Sequence, residues 1–193
     1  MWVYCQSSCQ LFTPIELEDR TSVDSITVTE IGLFGLLRKA RPNVPQHLHT
    51  GIDIKRPTLD YQNPPPIFSI AVGKVISIRR DGPYAQVIIE HQQDFKFWTV
   101  YEHIADVTVS LNQQVHPFMP IARFYTEEEL NRFGWQFDHF HFEILKEPPI
   151  PVVINSKRPE HHFRSYTLNC YDQEVLKQYF YDPLMFLERH IRK

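Results

Sequence analysis

Apolar and polar residues alternate over short stretches in the middle of the chain, as they do in half-buried β-strands. FSIAVGKVISIRR, residues 68–80, alternates over its second half, and the RDGPY motif that overlaps its end carries turn residues. AQVIIEH and FKFWTVYEHI are separated by QQD, which predicts a β-hairpin. VTVSLNQQV follows, and Asn112 suits a turn because asparagine tolerates positive φ. The pattern from Val44 to Leu145 therefore predicts consecutive short strands.

The two ends of the chain depart from this pattern. Residues 1–43 alternate only weakly, and we expect an N-terminal extension with one or two strands. The apolar run IGLFGLL, Ile31–Leu37, is too short to cross a bilayer, which takes about 20 residues, and we expect a buried strand or short helix there. TEEELNRFGW begins with an N-cap threonine and acidic residues, which predicts a short helix. The C-terminal DQEVLKQYFYDPLMFLERHIRK has helical periodicity interrupted by Asp-Pro.

Together these patterns predict a mainly β protein, an antiparallel β-sandwich or open barrel with small helical additions. The 193 residues, 42% of them hydrophobic, suffice for one domain with a substantial core. The formal net charge of −3 argues against a nucleic-acid-binding protein, since such proteins usually carry a basic surplus. Ten histidines are many for this length and are the first indication of metal or proton chemistry.

The cysteines and the N-terminus carry little information about the compartment. The chain has three cysteines, Cys5, Cys9 and Cys170, and an odd number offers no complete disulfide framework. Two of them could form a disulfide in an oxidising compartment, so their redox state stays open. A structural zinc site at CQSSC would need two further ligands that the sequence does not identify. MWVYCQSSCQLF has neither a basic region nor a sustained apolar region, so no secretory signal peptide is predicted.

The stretch DHFHFEIL, residues 138–145, places two histidines one residue apart. On a strand, alternation separates three apolar from three polar side chains: Phe140, Phe142 and Ile144 from His139, His141 and Glu143. An isolated H-x-H pair is most simply the solvent-facing side of a half-buried strand. A functional interpretation therefore requires other donor side chains to converge on the same point.

Two further histidine motifs provide such donors. HLHTGIDI contains H-x-x-x-D, from His49 to Asp53. Four residues of straight strand span about 13 Å, too far for one metal ion, but Gly51 allows the backbone to bend. TVYEHI ends an aromatic strand with His103. A catalytic zinc site needs three protein ligands and an open position, and these motifs supply enough donors with imidazoles left over.

In this order, HTGID, YEHI and HFHFE resemble the H-x-x-x-D, Y-x-H-[LI] and H-x-H-F-E motifs of the lysostaphin-type (LytM-like) zinc endopeptidases. That family cuts peptide bonds in bacterial peptidoglycan. The resemblance covers roughly Val44 to Leu145, and DPLMFL resembles the family's closing Asp-Pro segment. It implies the duplicated hybrid motif fold, with a zinc peptidase-like β domain over residues 44–193 and an insertion at about residues 146–181.

The resemblance also implies roles for individual residues. His49, Asp53 and His141 would bind one zinc ion, and His103 and His139 would be the unligated catalytic imidazoles. Glu143 has the parity to orient an imidazole. The other histidines have no evident partner, and we expect surface positions for them: His47, His91, His116, His161, His162 and His190. The implied substrate is a peptidoglycan peptide, which would place the protein in the periplasm or outside the cell; the bond cleaved and the oligomeric state stay open.

Two other functions compete with the endopeptidase. The chain has Asn112, Phe118 and Ala122 where the family has glycines, and its loop YTEEELNRFGWQFD differs from the family's. These departures and the absence of a predicted signal favour a non-catalytic module that binds cell wall or regulates another hydrolase. A sugar phosphotransfer domain of the related fold, with paired phosphate-carrying histidines, is the third candidate. The carboxylate of Asp53 argues against it, and the complete set of five site residues favours the enzyme.

Overall fold

A computed structural model describes residues 10–42, 44–167 and 170–191. Its strands are β1 (Leu37–Arg38), β2 (His47–Leu48), β3 (Ile52–Lys55), β4 (Pro66–Phe68), β5 (Gly73–Arg79), β6 (Gln86–Gln92), β7 (Lys96–Glu102), β8 (Gln114–Val115), β9 (Pro120–Arg123), β10 (His139–Leu145), β11 (Ile150–Pro151), β12 (Phe163–Arg164) and β13 (Phe180–Tyr181). Its helices are α1 (Glu127–Phe133), α2 (Gln173–Tyr179) and α3 (Pro183–His190), with 3₁₀ turns at Gly82–Tyr84 and Trp135–Phe137.

The strands form antiparallel sheets, and the predicted mainly β, open architecture is confirmed. The main sheet runs β13-β10-β7-β6-β5-β8, and β3 joins it beside β10. Strand β10 pairs along one edge with β7, while its other edge is shared by β3 and β13. The strand that carries the H-x-H pair is therefore central in the sheet.

Both faces of the main sheet are covered. On one face, Ile52 and Phe142 lie in a large core with Ile67 and Ile121 of the small β4–β9 sheet. On the other face, residues of β6, β7 and β10 share a second core with the segment that follows β10: Ile88, Val100 and Leu145 with Cys170 and Leu176. Apart from half-buried His139, the side chains of β10 are buried, so its polar residues His141 and Glu143 need partners inside the protein.

Several local predictions from the sequence are confirmed. Helix α1 has Thr126 as its N-cap in a reciprocal capping box with Glu129. Asn112 has φ +66, as a turn residue with positive φ should. The Asp-Pro step separates α2 from α3, because Asp182 caps α3 and Pro183 begins it. None of these three helices has the length and apolar character that a bilayer crossing requires in the described part of the chain.

The N-terminal residues pack against the main sheet's core instead of standing apart from it. Leu11 and Ile15 belong to the large core, and Ile15 and Val28 form single bridges with Ile67 and Ile54. The division of the chain into an N-terminal extension and a β domain stays a prediction. Cys170 is buried, whereas Cys5, Cys9 and the CQSSC motif lie outside the described residues.

The prediction of a buried strand or short helix at Ile31–Leu37 is wrong. This run is a turn on the surface, with Ile31 65% and Leu33 51% exposed, and only its last residue enters a short strand. Gly35 has φ +74, which turns the chain before a helix or a longer strand can form.

His91 is a buried structural residue, which corrects the expected surface position. Its Nδ1–H donates to the Val72 carbonyl (3.0 Å), its Nε2 accepts from the Thr99 hydroxyl (2.8 Å), and its ring stacks on Phe97. Burial lowers the pKa of His91 to about 4. Because the ring is buried, the folded protein favours its neutral form.

Acid is expected to destabilise the protein partly through His91. The unfolded chain binds a proton at this residue below about pH 6.5, while the folded state resists it down to about pH 4, so the free energy of unfolding falls by about 3 kcal/mol across that window. Urea denaturation of the wild type and of His91→Gln at pH 7 and pH 4.5, both with chelator, isolates this contribution. The variant should be less stable at pH 7 and should lose less stability on acidification. An equal loss in both proteins would contradict the assignment.

Candidate active site

A bend between β2 and β3 brings the two ends of the H-x-x-x-D motif together. Although His49 and Asp53 are four residues apart, His49 Nε2 lies 3.1 Å from Asp53 Oδ1. Gly51 allows this bend to lie directly on β10, because a Cβ at this position would be 2.2 Å from the Phe142 carbonyl oxygen. Only glycine fits so close an approach to a neighbouring backbone.

His141 completes a cluster of three donor atoms. The Cα atoms of His141 and Asp53 are register partners across β10 and β3, and His141 Nδ1 lies 3.0 Å from Asp53 Oδ1. His49 Nε2 and His141 Nδ1 are 2.9 Å apart. All three residues are buried. Donors bound tetrahedrally at about 2.0–2.1 Å from a zinc ion lie roughly 3.3 Å from one another, so this cluster matches a zinc tripod to within a few tenths of an ångström.

In both imidazoles of the cluster, one ring nitrogen donates a hydrogen bond away from the cluster. This hydrogen bond leaves the lone pair on the other nitrogen, which faces the cluster. His49 Nδ1–H donates to the Leu33 carbonyl (3.0 Å), which leaves Nε2 as the donor toward the cluster. His141 Nε2–H donates to Glu143 Oε1 (2.9 Å), which leaves Nδ1. Metal-binding histidines are held in this way by a carbonyl or a carboxylate. The three residues could therefore hold a metal ion.

Glu143 is anchored beneath His141. Its Oε1 also accepts from the Thr50 and Thr167 hydroxyls, at 2.5 and 2.8 Å. Thr50 comes from the bend, and Thr167 from the segment after β10. The parity of Glu143 pointed to this role, but the two threonines had no signal in the sequence.

The cluster is strongly coupled electrostatically. Burial opposes charge on Asp53, yet the hydrogen bonds with His141 and His49 hold the pKa of its carboxyl well below the usual range. Burial likewise disfavours protonated His141, but the hydrogen bonds with Asp53 and Glu143 raise the pKa of His141 to about 10. Two carboxylates thus stabilise positive charge at the centre of the cluster, as a cation site requires.

His103 and His139 lie beside the cluster. The ring centroids of His103 and His139 are 5.4 Å apart, and His139 Nε2 lies 3.6 Å from Asp53 Oδ1. His103 has φ +62 and donates Nδ1–H to the Pro83 carbonyl (2.6 Å), so its Nε2 is available to a ligand. Burial lowers the pKa of both imidazoles to about 4, so the neutral, proton-accepting form prevails at pH 7.

All five residues singled out in the sequence therefore lie in one region. His47, expected at the surface, is instead buried, and its Nδ1–H donates to the Pro45 carbonyl (2.8 Å). Sequence reasoning also missed Arg38, whose guanidinium contacts Asp53, and Glu102, the register partner of His141 on β7.

The model of Peptidase family M23 matches residues 47–152, more than half of the 193-residue chain. The chain belongs to peptidase family M23. The predicted lysostaphin-type resemblance is thereby confirmed. The matched residues include the three clustered side chains and both neighbouring imidazoles, but they exclude Arg38, Leu33 and Thr167.

One of the similar solved structures, lysostaphin, has a TM-score above 0.5 and supports the same fold. The antimicrobial peptidase lysostaphin from Staphylococcus simulans is 15% identical, with a TM-score of 0.51 over 85% of this chain and 51% of that one. A zinc-containing peptidase from Vibrio cholerae is 25% identical, with a TM-score of 0.48 over 70% of this chain and 37% of that one. A chain of the SpoIIIAH–SpoIIQ complex is 19% identical, with a TM-score of 0.46 over 70% of this chain and 91% of that one. Against the lysostaphin and Vibrio peptidases, this M23 chain spans about half or less of their length. Curated proteins gave no match.

Proposed function

We propose that this M23 protein is a zinc-dependent endopeptidase that hydrolyses peptide bonds in peptidoglycan cross-links or stem peptides. The observation that carries the proposal is the tripod of His49 Nε2, Asp53 Oδ1 and His141 Nδ1, with separations of 2.9–3.1 Å. The imidazoles of His103 and His139 stand next to it. A tripod alone suits a structural or a catalytic ion, whereas the adjoining imidazoles favour catalysis.

The donor set favours one zinc ion over a harder cation. Two imidazole nitrogens and one carboxylate oxygen are typical zinc ligands, whereas calcium and magnesium prefer sites built from oxygen. A zinc ion held by three protein ligands lowers the pKa of a bound water from 15.7 to about 7 and polarises a carbonyl. His49, Asp53 and His141 would hold that ion, and Glu143 would keep the His141 ring in its binding tautomer.

His103 and His139 are proposed to handle the protons of the reaction. Each is half-buried near the tripod with a neutral ring, so one can take a proton from the nucleophile and later return it to the leaving amine. An imidazole N–H directed at the substrate carbonyl would stabilise the oxyanion. The substrate class rests on the resemblance of the three motifs to those of peptidoglycan endopeptidases.

Alanine at His139 is expected to stop cleavage while leaving the zinc in place. Loss of a general acid or base lowers kcat/KM by roughly 10²–10⁴-fold, whereas the tripod keeps its three ligands. The assay measures release of new amino groups from purified peptidoglycan by zinc-loaded wild type, His139→Ala, His103→Ala and the exposed control His116→Ala. Chelation should abolish the wild-type signal, and His116→Ala should match wild type.

If zinc-loaded wild type binds peptidoglycan but releases no amines, the proposed enzyme activity is wrong. The non-catalytic binding or regulatory module would then be the better interpretation. If His139→Ala and His103→Ala both cleave at the wild-type rate, the two imidazoles do not have the proposed roles.

A further inference from the structure

The turn before β1, residues 29–36, holds both ends of the H-x-x-x-D motif. Asp53 donates its backbone N–H to the Gly32 carbonyl (3.0 Å), and its own carbonyl accepts from the Thr29 N–H (2.9 Å). The backbone of His49 exchanges two 2.8 Å hydrogen bonds with Gly35 and Leu36. Residues 29–38, which lie outside the family match, therefore form the wall behind two of the three tripod residues.

This wall fits Asp53 closely. A Cβ on Gly32 would lie 2.5 Å from the Asp53 Cβ, so the turn packs directly against the side chain. The Asp53 side chain is only 6% exposed. This packing alone does not determine which carboxylate oxygen of Asp53 faces the tripod.

Arg38 settles the orientation of the carboxylate. Its Nη2 donates to Asp53 Oδ2 at 2.6 Å, and the Arg38 side chain is only 18% exposed. Strand β1 aims it there through the register pair Arg38↔His47. The contacts from His49 and His141 all reach the other oxygen, Oδ1.

Resting on the proposed zinc site, we propose that Arg38 is a positioning residue that restricts Asp53 to one coordinating oxygen. With Oδ2 occupied by the guanidinium, the carboxylate presents Oδ1 alone to the metal. The fourth corner of the tetrahedron is thereby left for water and substrate. Without Arg38, the carboxylate could rotate and offer both oxygens, which would add a fifth donor and crowd the position of water and substrate.

The positive charge of Arg38 also affects the metal affinity, but in the opposite direction. A charge-assisted hydrogen bond to Oδ2 draws electron density from the carboxylate and makes Asp53 a weaker donor. The fixed orientation of the Asp53 carboxylate favours metal binding, whereas the repulsion between Arg38 and the metal ion opposes it. We expect orientation to dominate, because the loss of outer partners of metal ligands typically costs 10–100-fold in affinity.

The test compares Arg38→Gln, Arg38→Lys and the control Arg41→Gln, which changes an exposed arginine three residues further on. Zinc affinity is measured by competition with a chromophoric chelator, and the coordination number is measured from the visible absorption of the cobalt(II)-loaded protein. Arg38→Gln is expected to bind zinc about 10–100-fold more weakly and to show the weak absorption of a five-coordinate ion. Wild type and Arg41→Gln should show the intense four-coordinate spectrum, with Arg38→Lys between the two.

Unchanged or tighter zinc binding by Arg38→Gln, with an unchanged cobalt spectrum, would overturn the proposal. Far-ultraviolet circular dichroism of the metal-free variants verifies folding, and Arg38→Lys carries the test if the glutamine variant is unfolded. Neither readout requires cleavage, so a wild type that binds zinc without cutting peptidoglycan would contradict the proposed function and leave this test intact. A wild type that binds no metal would overturn both.

Discussion

Replacing His141 with alanine is expected to abolish zinc binding and peptidoglycan cleavage together. His141 Nδ1 is one of three donors, and its Nε2–H is also the link to Glu143, so alanine removes a ligand and its support at once. The measurement is zinc per protein by elemental analysis after dialysis, with amine release from peptidoglycan in parallel. We expect about one zinc per wild-type chain and none in the variant.

The exposed His116→Ala protein is the control for the loss of a histidine, and it should keep both zinc and activity. Because His141→Ala leaves Asp53 and Glu143 buried without their partner, its folding is verified by circular dichroism, and His141→Gln provides a variant of closer volume. A folded His141 variant that retains stoichiometric zinc would show that the ligand assignment is wrong.

Of the substitutions that add a single methyl group in this site, Gly51→Ala is expected to lower the free energy of unfolding most. The new Cβ would meet the Phe142 carbonyl at 2.2 Å and its carbonyl carbon at 2.8 Å. Both belong to the backbone of a central strand, which cannot move aside as a flexible side chain can. Overpacking of this kind costs about 3 kcal/mol or more, and it would also separate His49 from Asp53.

Urea denaturation of metal-free protein measures this effect, and Gly82→Ala is the matched control. Gly82 has φ +57 but open space around its Cβ position, so alanine there costs only about 1–2 kcal/mol from backbone strain. If Gly51→Ala is no less stable than Gly82→Ala and binds zinc as wild type does, the close approach of the bend to β10 is not what the site depends on.

The local features of this fold could be predicted from the sequence because they depend on neighbouring residues. Alternation identified the β6–β7 hairpin, a capping residue identified α1, and Asp-Pro marked the start of α3. The motifs likewise identified five side chains that converge. Parity indicated which residues share a face of β10, but only the family resemblance distinguished His139 from His141.

The supporting contacts could not be predicted, since they join residues far apart in the chain. Thr50 and Thr167 meet Glu143 across separations of 93 and 24 residues, and Arg38 reaches Asp53 across 15. No periodicity encodes such partners. The IGLFGLL run misled for the same reason, because its apolar residues suggested burial while Gly32 and Gly35 shaped a turn around Asp53. The burial of the polar face of β10 could not be predicted either, because the second core that covers it includes residues that follow the strand in the chain.

Anomalous X-ray diffraction at the zinc edge from crystals grown with zinc tests the tripod most directly. A single strong peak is expected at about 2.0–2.2 Å from His49 Nε2, Asp53 Oδ1 and His141 Nδ1, with His103 and His139 farther away. A peak coordinated by other residues, or no peak at these three atoms in zinc-saturated protein, would contradict the account.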